Sequence, residues 1–225
     1  GLGTRISEET NDKPKPMVLI NEKPIIWHIM SIYAVQGFTD FIIAAGYKHE
    51  IIHQYFNSND FSWNIQVLNT GQSTQTGGRL KKCVEFYDAK RYLVTYGDGL
   101  ANVNLNKLIS THTTKASIGT LTAVRPPARF GRLEINSNTV EHFGEKVQAS
   151  EGWINGGFFV FDKKIVDFID GDNDPLEIGA LPKLVRQRQL SAHLHEGFWQ
   201  PMDTLREKNY LNELATTSNV PWLNI

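Results

Sequence analysis

The sequence predicts an α/β fold with a largely parallel central sheet. Short apolar runs of strand length, such as Phe38-Thr39-Asp40-Phe41-Ile42-Ile43-Ala44-Ala45 and Arg91-Tyr92-Leu93-Val94-Thr95-Tyr96, alternate with amphipathic helical segments. The runs stop at Gly46 and Gly97, where a buried strand would turn into a loop. With 225 residues, 40% of them hydrophobic, the chain has ample material for one core.

The elements follow in order. Residues Ile25 to Val35 carry Ile25, Ile29, Ile32 and Tyr33 at helical spacing. The strand ending at Ala45 precedes a helix over 49–56, a strand over 64–68 and a helix from Thr76 through Leu80, Val84 and Phe86. The strand at 91–96 stops at Gly97-Asp98-Gly99. After Ser117, strands at 118–124, 132–135, 139–143 and 154–161 crowd together and predict a mixed or antiparallel extension. Helices are expected at 163–169, 175–188 and 203–214. His193 and His195 alternate on a further strand as surface residues, and Cys83 sits structurally in a helix. No linker or repeat interrupts the chain, so residues 1–225 are expected to form one domain.

Bulk properties exclude several functions. A net charge of −1 leaves no electrostatic footprint for nucleic acid, and no basic run marks a membrane surface. No apolar run reaches bilayer length. One cysteine excludes an internal disulfide framework and fits a reducing cytoplasm. The histidines show no metal spacing, and no Ser/His/Asp set with a strand–elbow motif appears.

Five constellations carry chemistry. Gly1-Leu2-Gly3-Thr4-Arg5 with Lys13-Pro14-Lys15-Pro16-Met17 suits a polyphosphate: glycines admit phosphate oxygens to backbone N–H groups, and the two prolines restrict the backbone around Lys15. A lone Gly-x-Gly would read as an ordinary turn. Asp98, between glycines at a strand's carboxyl end, lies where open α/β sheets bind ligands and suits Mg²⁺, although an aspartate in a tight turn looks the same. The polar run Thr70 to Arg79 leads into a helix, and can either read a base or serve as a solvated connection capped by Thr74 or Thr76. Glu145-Lys146 and Trp153-Ile154-Asn155-Gly156-Gly157-Phe158-Phe159 offer sugar-binding groups beside side-chain-free backbone, or else an ion pair and a bulged strand. Pro201-Met202-Asp203-Thr204 reads first as a helix start, with Asp203 near the cap.

In this order, these segments resemble sugar nucleotidyltransferases across nearly the whole chain. Lys23-Pro24-Ile25-Ile26-Trp27-His28-Ile29-Met30, Thr76-Gly77-Gly78-Arg79-Leu80-Lys81, Tyr96-Gly97-Asp98-Gly99, Arg129-Phe130-Gly131 and Gly197-Phe198-Trp199-Gln200-Pro201-Met202-Asp203-Thr204-Leu205-Arg206 look like the cytidylyl branch. The resemblance implies a Rossmann-like nucleotidyltransferase fold, with a nucleotide-binding part over 1–116 and a sugar-phosphate-binding part over 117–225. It implies transfer of CMP from CTP to α-D-glucose 1-phosphate, a step toward O-antigen-type polysaccharide precursors, in a homo-oligomer. Gly1, Gly3, Thr4 and Arg5 would hold the triphosphate, and Lys15 would sit at the reacting phosphates. Thr74, Thr76 and Arg79 would contact the nucleotide. Asp98 and Asp203 would hold Mg²⁺, and Glu145, Lys146, Asn155 and Gly156 would face the glucosyl phosphate. Arg5, Lys15 and Asp98 are the expected catalytic set.

The chain departs from that pattern in three places. Relatives carry a short strand and another glycine ahead of Gly1, and the strand is expected to be an omission from the sequence. They carry a longer insertion where this chain has only residues 57–62, and a proline where Val147 stands. Two other readings stay open: a transferase using dTTP, UTP or GTP, and a non-catalytic nucleotide-sugar sensor.

Overall fold

The computed structural model describes residues 6–126, 132–136, 139–144 and 152–225. The expectations placed on Gly1, Gly3, Thr4, Arg5, Glu145, Lys146 and Val147, and on Arg129 to Gly131, lie outside them. Helix α1 (Ser7–Thr10) is followed by a 3₁₀ turn over Lys15–Met17, the short hairpin β1 (Leu19–Ile20) and β2 (Lys23–Pro24), and α2 (Ile25–Ala34). Then come β3 (Asp40–Ala45), α3 (His49–Asn57), β4 (Asn64–Asn69), α4 (Thr76–Phe86), β5 (Arg91–Thr95), β6 (Gly99–Ala101) and α5 (Leu105–Lys115). The second half holds β7 (Gly119–Val124), β8 (Arg132–Asn136), β9 (Thr139–Gly144), β10 (Ile154–Asp162), a 3₁₀ segment over Lys163–Phe168, and α6 (Ala180–Arg186). It closes with β11 (Leu190–His195), β12 (Trp199–Pro201), α7 (Leu205–Ala215) and a 3₁₀ turn over Pro221–Leu223.

The sheet is mixed. Four strands run in the order β11-β7-β10-β5, with β11 parallel to β7 and β10 antiparallel to both its neighbours. Strands β3 and β4 form a parallel pair, as their apolar, helix-linked sequences predict. Strand β10 can be central because Gly156 through Phe161 are all buried. Gly156 and Gly157 lie where the register with β7 shifts. The β3–β4 pair and the four-stranded sheet share no ladder among the described residues. Side chains join them instead: Tyr33 of α2 stacks on Phe158 at 6.1 Å and meets Phe41 edge-on at 6.4 Å. Helix α2 is apolar around most of its circumference because it serves two clusters. Ile25, Ile29 and Ile32 face one, and Ile26 and Met30 face that of β3, Ile52 and Phe56.

Several elements differ from expectation for local reasons. Helix α5, which the sequence reading did not include, buries only Leu105, Leu108 and His112 of a polar segment, and so carries a weak apolar pattern. Its start is fixed by the Asn104 side chain accepting from Lys107 N–H at 2.9 Å. The helix expected at 163–169 is a 3₁₀ segment, and that expected at 175–188 contracts to α6. Residues 172–176 are instead drawn over the start of α4. There, the Gln75 and Gly77 N–H groups donate to the Asp172 and Asp174 carbonyls at 2.8 and 3.0 Å. His193 and His195 are half-buried, not surface residues: His193 pairs with Thr111 Oγ1 at 3.1 Å, and His195 Nε2 donates to the Phe198 carbonyl at 3.1 Å. Cys83 lies in α4 as expected, and burial, partly offset by Arg79, pushes its thiol up to about 11.

This strap explains the paired glycines of α4. A Cβ on Gly78 would stand 2.6 Å from the Asp172 Cα and 2.7 Å from its carbonyl oxygen. In an open helix, Gly→Ala stabilises by about 1 kcal/mol. Here backbone must move, so Gly78→Ala is expected to lose about 1–3 kcal/mol in urea unfolding.

A second expectation concerns acid. His28 is buried between Trp27 and Trp222, with ring centroids at 5.1 and 5.5 Å, and its Nε2 donates to the Ile20 carbonyl at 2.8 Å. Burial lowers its pKa; the Ile20 carbonyl opposes this, and Lys23 adds to the lowering. His193 and His195 are lowered too, mainly by burial. The native state therefore binds fewer protons than the unfolded chain. The resulting stability is present above the ordinary histidine pKa of 6.5 and is lost as pH falls below it. His28→Gln is expected to flatten the dependence of the urea midpoint on pH between about 7.5 and 5.5, the window in which an ordinary histidine titrates.

Candidate active site

Three distant segments converge on one ammonium. Lys15 Nζ donates to Asp98 Oδ2 at 2.8 Å and to Asp203 Oδ1 at 2.7 Å. Pro14 and Pro16 flank Lys15 in its 3₁₀ turn, and the Pro16 ring packs on Gly97, where a Cβ would lie 3.1 Å from Pro16 Cγ. Asp98 and Asp203 sit beside each other because β6 and β12 form a ladder pairing Gly99 with Pro201, extended by the Met202 N–H donating to the Asp98 carbonyl at 2.8 Å. The cap of α7 is Thr204, not Asp203: its hydroxyl accepts from Glu207 N–H, and Glu207 Oε2 accepts from the Thr204 N–H in return. With capping supplied by the hydroxyl, the Asp203 carboxylate turns to Lys15.

The lysine is the most enclosed of the three, with 13% of its side chain exposed against 38% for Asp98 and 25% for Asp203. Burial disfavours the ammonium, but the charge of Asp98 and the bonds to both carboxylates outweigh it, so the net shift of Lys15 is upward. The two carboxylates already share one cation. Their hard oxygen donors, one or two carboxylates with room for phosphate oxygens, fit Mg²⁺. No group of three or more His, Cys, Asp or Glu side chains suited to a metal occurs among the described residues.

Thr74, on the loop after β4, and Thr76 and Arg79, in the first turn of α4, have unequal roles. The buried Thr74 hydroxyl donates to the Thr70 carbonyl at 2.6 Å. The residue preceding α4 is Gln75, which makes no side-chain cap, while Thr76 Oγ1 reaches Glu177 Oε2 at 2.7 Å. Arg79 lies against Gly46, where a Cβ would be 2.4 Å from its guanidinium nitrogens. It donates to Thr70 Oγ1 at 2.5 Å and the Gln72 carbonyl at 3.4 Å, using two of its five N–H donors. The N–H groups of Gln75 and Gly77 at the start of α4 are spent on the strap.

On the other side, Asn155 Nδ2 donates to the Tyr96 hydroxyl at 3.2 Å, and its Oδ1 accepts from Gly157 N–H at 2.9 Å. Gly156 is pressed on β7, where a Cβ would be 2.7 Å from Val124 Cγ1, and its carbonyl accepts from Trp199 Nε1 at 2.8 Å. Tyr96 links this side to the strap by donating to Glu177 Oε1 at 2.6 Å. The sequence reading missed Glu177 because nothing local distinguishes it from any exposed helical carboxylate.

The nucleotidyl transferase family model matches residues 1–213. The chain belongs to that family. It is 44% identical over 245 residues to a glucose-1-phosphate cytidylyltransferase of Salmonella typhimurium, covering 99% of this chain and 95% of the relative. It is 32% identical over 170 residues to a D-glycero-alpha-D-manno-heptose 1-phosphate guanylyltransferase of Aneurinibacillus thermoaerophilus, covering 74% of each. Among solved structures, HddC from Yersinia pseudotuberculosis complexed with GMP-PN superposes with a TM-score of 0.75 at 25% identity over 95% of both chains. The mixed sheet flanked by helices is thus the nucleotidyltransferase fold. No helix among the described residues is long and apolar enough to cross a membrane.

Proposed function

We propose that this protein transfers CMP from CTP to α-D-glucose 1-phosphate, releasing pyrophosphate and forming CDP-glucose. The observation that carries the reading is the Lys15 ammonium shared between Asp98 and Asp203 at 2.8 and 2.7 Å. The ammonium of such a centre can pass from its two carboxylates to the negative charge of an incoming triphosphate. The relative at 44% identity supports cytosine and glucose over other partners. The guanylyltransferase likeness keeps GTP as the competing choice.

The phosphate of the sugar is already ionised at neutral pH, so its oxygen needs no general base. That oxygen attacks the α-phosphorus; the new P–O bond forms as the α–β bridging P–O bond breaks, and the electron pair leaves on pyrophosphate. Catalysis is therefore positioning and charge stabilisation. Mg²⁺, which Asp98 and Asp203 would hold, supplies neutralisation of phosphate charge when bound. Lys15 leaves its two carboxylates to pair with the reacting phosphates, and Gly1, Gly3, Thr4 and Arg5 hold the triphosphate. Arg79 offers its remaining donors to the base edge from the first turn of α4, with Thr76 at the start of that helix and Thr74 on the loop before it. Glu145, Lys146 and Asn155, in the 117–225 sugar-phosphate-binding part, would bind the glucosyl phosphate, while Gly156, packed on Val124, serves to hold β10 close to β7; residues 1–116 are the nucleotide-binding part. Assembly as a homo-oligomer belongs to the same reading.

The deciding experiment incubates the full-length protein with Mg²⁺, glucose 1-phosphate and each NTP in turn and measures pyrophosphate. Release with CTP is the expected result. Preference for another nucleotide moves the protein to a sister activity, and silence with every sugar phosphate favours a nucleotide-sugar sensor.

A further inference from the structure

One carboxylate outside the expected catalytic and metal sets joins the two halves of the site. Glu177 accepts from two hydroxyls, Tyr96 at Oε1 (2.6 Å) and Thr76 at Oε2 (2.7 Å). Each hydroxyl in turn accepts from an N–H: Tyr96 from Asn155 Nδ2 at 3.2 Å, and Thr76 from Leu176 N at 2.8 Å. Glu177 is exposed, yet its position is fixed. It ends the strap whose carbonyls at Asp172 and Asp174 hold Gln75 and Gly77 of the α4 start. The Tyr96 ring is fixed as well, lying on Gly157, where a Cβ would be 2.6 Å from Tyr96 Cδ2, and edge-on to Phe159 at 5.4 Å.

We infer that Glu177 is a positioning residue that orients Asn155 for the sugar phosphate through the Tyr96 hydroxyl. The argument is one of hydrogen-bond polarity, and it rests on the cytidylyl-transfer reading above. An ionised carboxylate only accepts, so the Tyr96 proton points at Glu177. The hydroxyl oxygen then presents only lone pairs to Asn155, whose NH₂ must face it. The amide oxygen is left toward Gly157 N–H, as observed. Thus Asn155 cannot flip, and it offers the sugar one fixed N–H donor and one fixed carbonyl lone pair. Without this relay, only the Gly157 N–H at 2.9 Å would hold the order of the amide; the relay adds a second lock at the NH₂ end. The second oxygen of Glu177, on Thr76, ties the same carboxylate to the start of the nucleotide-side helix.

The test uses Glu177→Ala, Tyr96→Phe, their double variant and Glu177→Gln in the pyrophosphate assay, with CTP and glucose 1-phosphate each varied. Tyr96→Phe keeps the ring on Gly157 and guards against loss of fold, which thermal melts check in every variant. The KM for glucose 1-phosphate is expected to rise roughly 3- to 10-fold in each single variant, the value of one lost hydrogen bond. In Tyr96→Phe, which leaves the bond between Thr76 and Glu177 in place, the KM for CTP stays within about twofold. The double variant should match the worse single, because both break one relay. Glu177→Gln, which can still accept from Tyr96 at its one amide oxygen, should recover part of the loss. Equal rises in both KM values in Tyr96→Phe, independent multiplicative effects on the glucose 1-phosphate KM in the double variant, or an unchanged glucose 1-phosphate KM would overturn the assignment. A wild-type protein that releases no pyrophosphate from CTP and glucose 1-phosphate overturns the function itself, and the positioning role with it.

Discussion

Lys15→Met is expected to cut kcat/KM for CTP by about 10²–10³, the cost of removing one preorganised charge-stabilising donor from a transition state. The methionine side chain is similar in length and apolar, and the Lys15 side chain is 13% exposed, so the substitution leaves the enclosed space filled. The larger consequence is electrostatic. Asp98 and Asp203 would face each other without the ammonium that they share at 2.8 and 2.7 Å. Two carboxylates brought together without the cation they share repel each other, which is destabilising. In the absence of nucleotide, the variant should therefore melt lower than wild type, and Mg²⁺ alone should raise its melting temperature more than that of wild type. The reason is competition: in the native protein a metal must displace the ammonium, and in the variant it need not. Differential scanning fluorimetry with and without Mg²⁺ reads this independently of turnover. Equal Mg²⁺ response in both proteins would remove Lys15 as the competitor.

Asp98→Ala should abolish detectable turnover while leaving the fold intact. The backbone of residue 98 is held by its own carbonyl, which accepts from Met202 N–H at 2.8 Å. The β6–β12 ladder does not need the side chain, and the Asp98 side chain is 38% exposed, so truncation opens no core cavity. Lys15 would remain paired with Asp203 alone. A loss of about 10³ or more in kcat, with a urea midpoint close to wild type, is the expected outcome. Near-native pyrophosphate release would take Asp98 out of the reacting centre. Asp203→Asn is a companion with the same direction, and Thr204 and Glu207 keep α7 capped in it.

Much of the fold was legible from local pattern. The boundaries of α2, β3, α3, β4, α4 and β5 follow from apolar period and glycine punctuation, because each buries a regular face. Helix α5 was not legible, since its threonines and lysines dilute the pattern and only Leu105, Leu108 and His112 turn inward. Residues 175–179 carry helical composition but form only a turn, closed by the Gly179 N–H on the Pro175 carbonyl, while the Asp172 and Asp174 carbonyls and the Leu176 N–H bond to the start of α4. The same contact explains Gly77 and Gly78, which serve close packing of the strap. In the site, Lys15, Asp98 and Asp203 were each visible as residue types in telling surroundings. Glu177 was not, for an exposed carboxylate carries no local mark of the two hydroxyls that reach it.

What the sequence determined by itself was the alternation of strands and helices, the neutral single-cysteine composition and the segments that resemble nucleotidyltransferases. These are properties of neighbouring residues, so period, turn chemistry and motif expose them. Only the tertiary structure decided that β10 runs antiparallel between β5 and β7, that Asp98 and Asp203 share one ammonium, and that Thr204 rather than Asp203 caps α7. Each of these depends on a ladder or contact between segments tens of residues apart. Nothing in either segment alone fixes the distance between them; burial of the common core does.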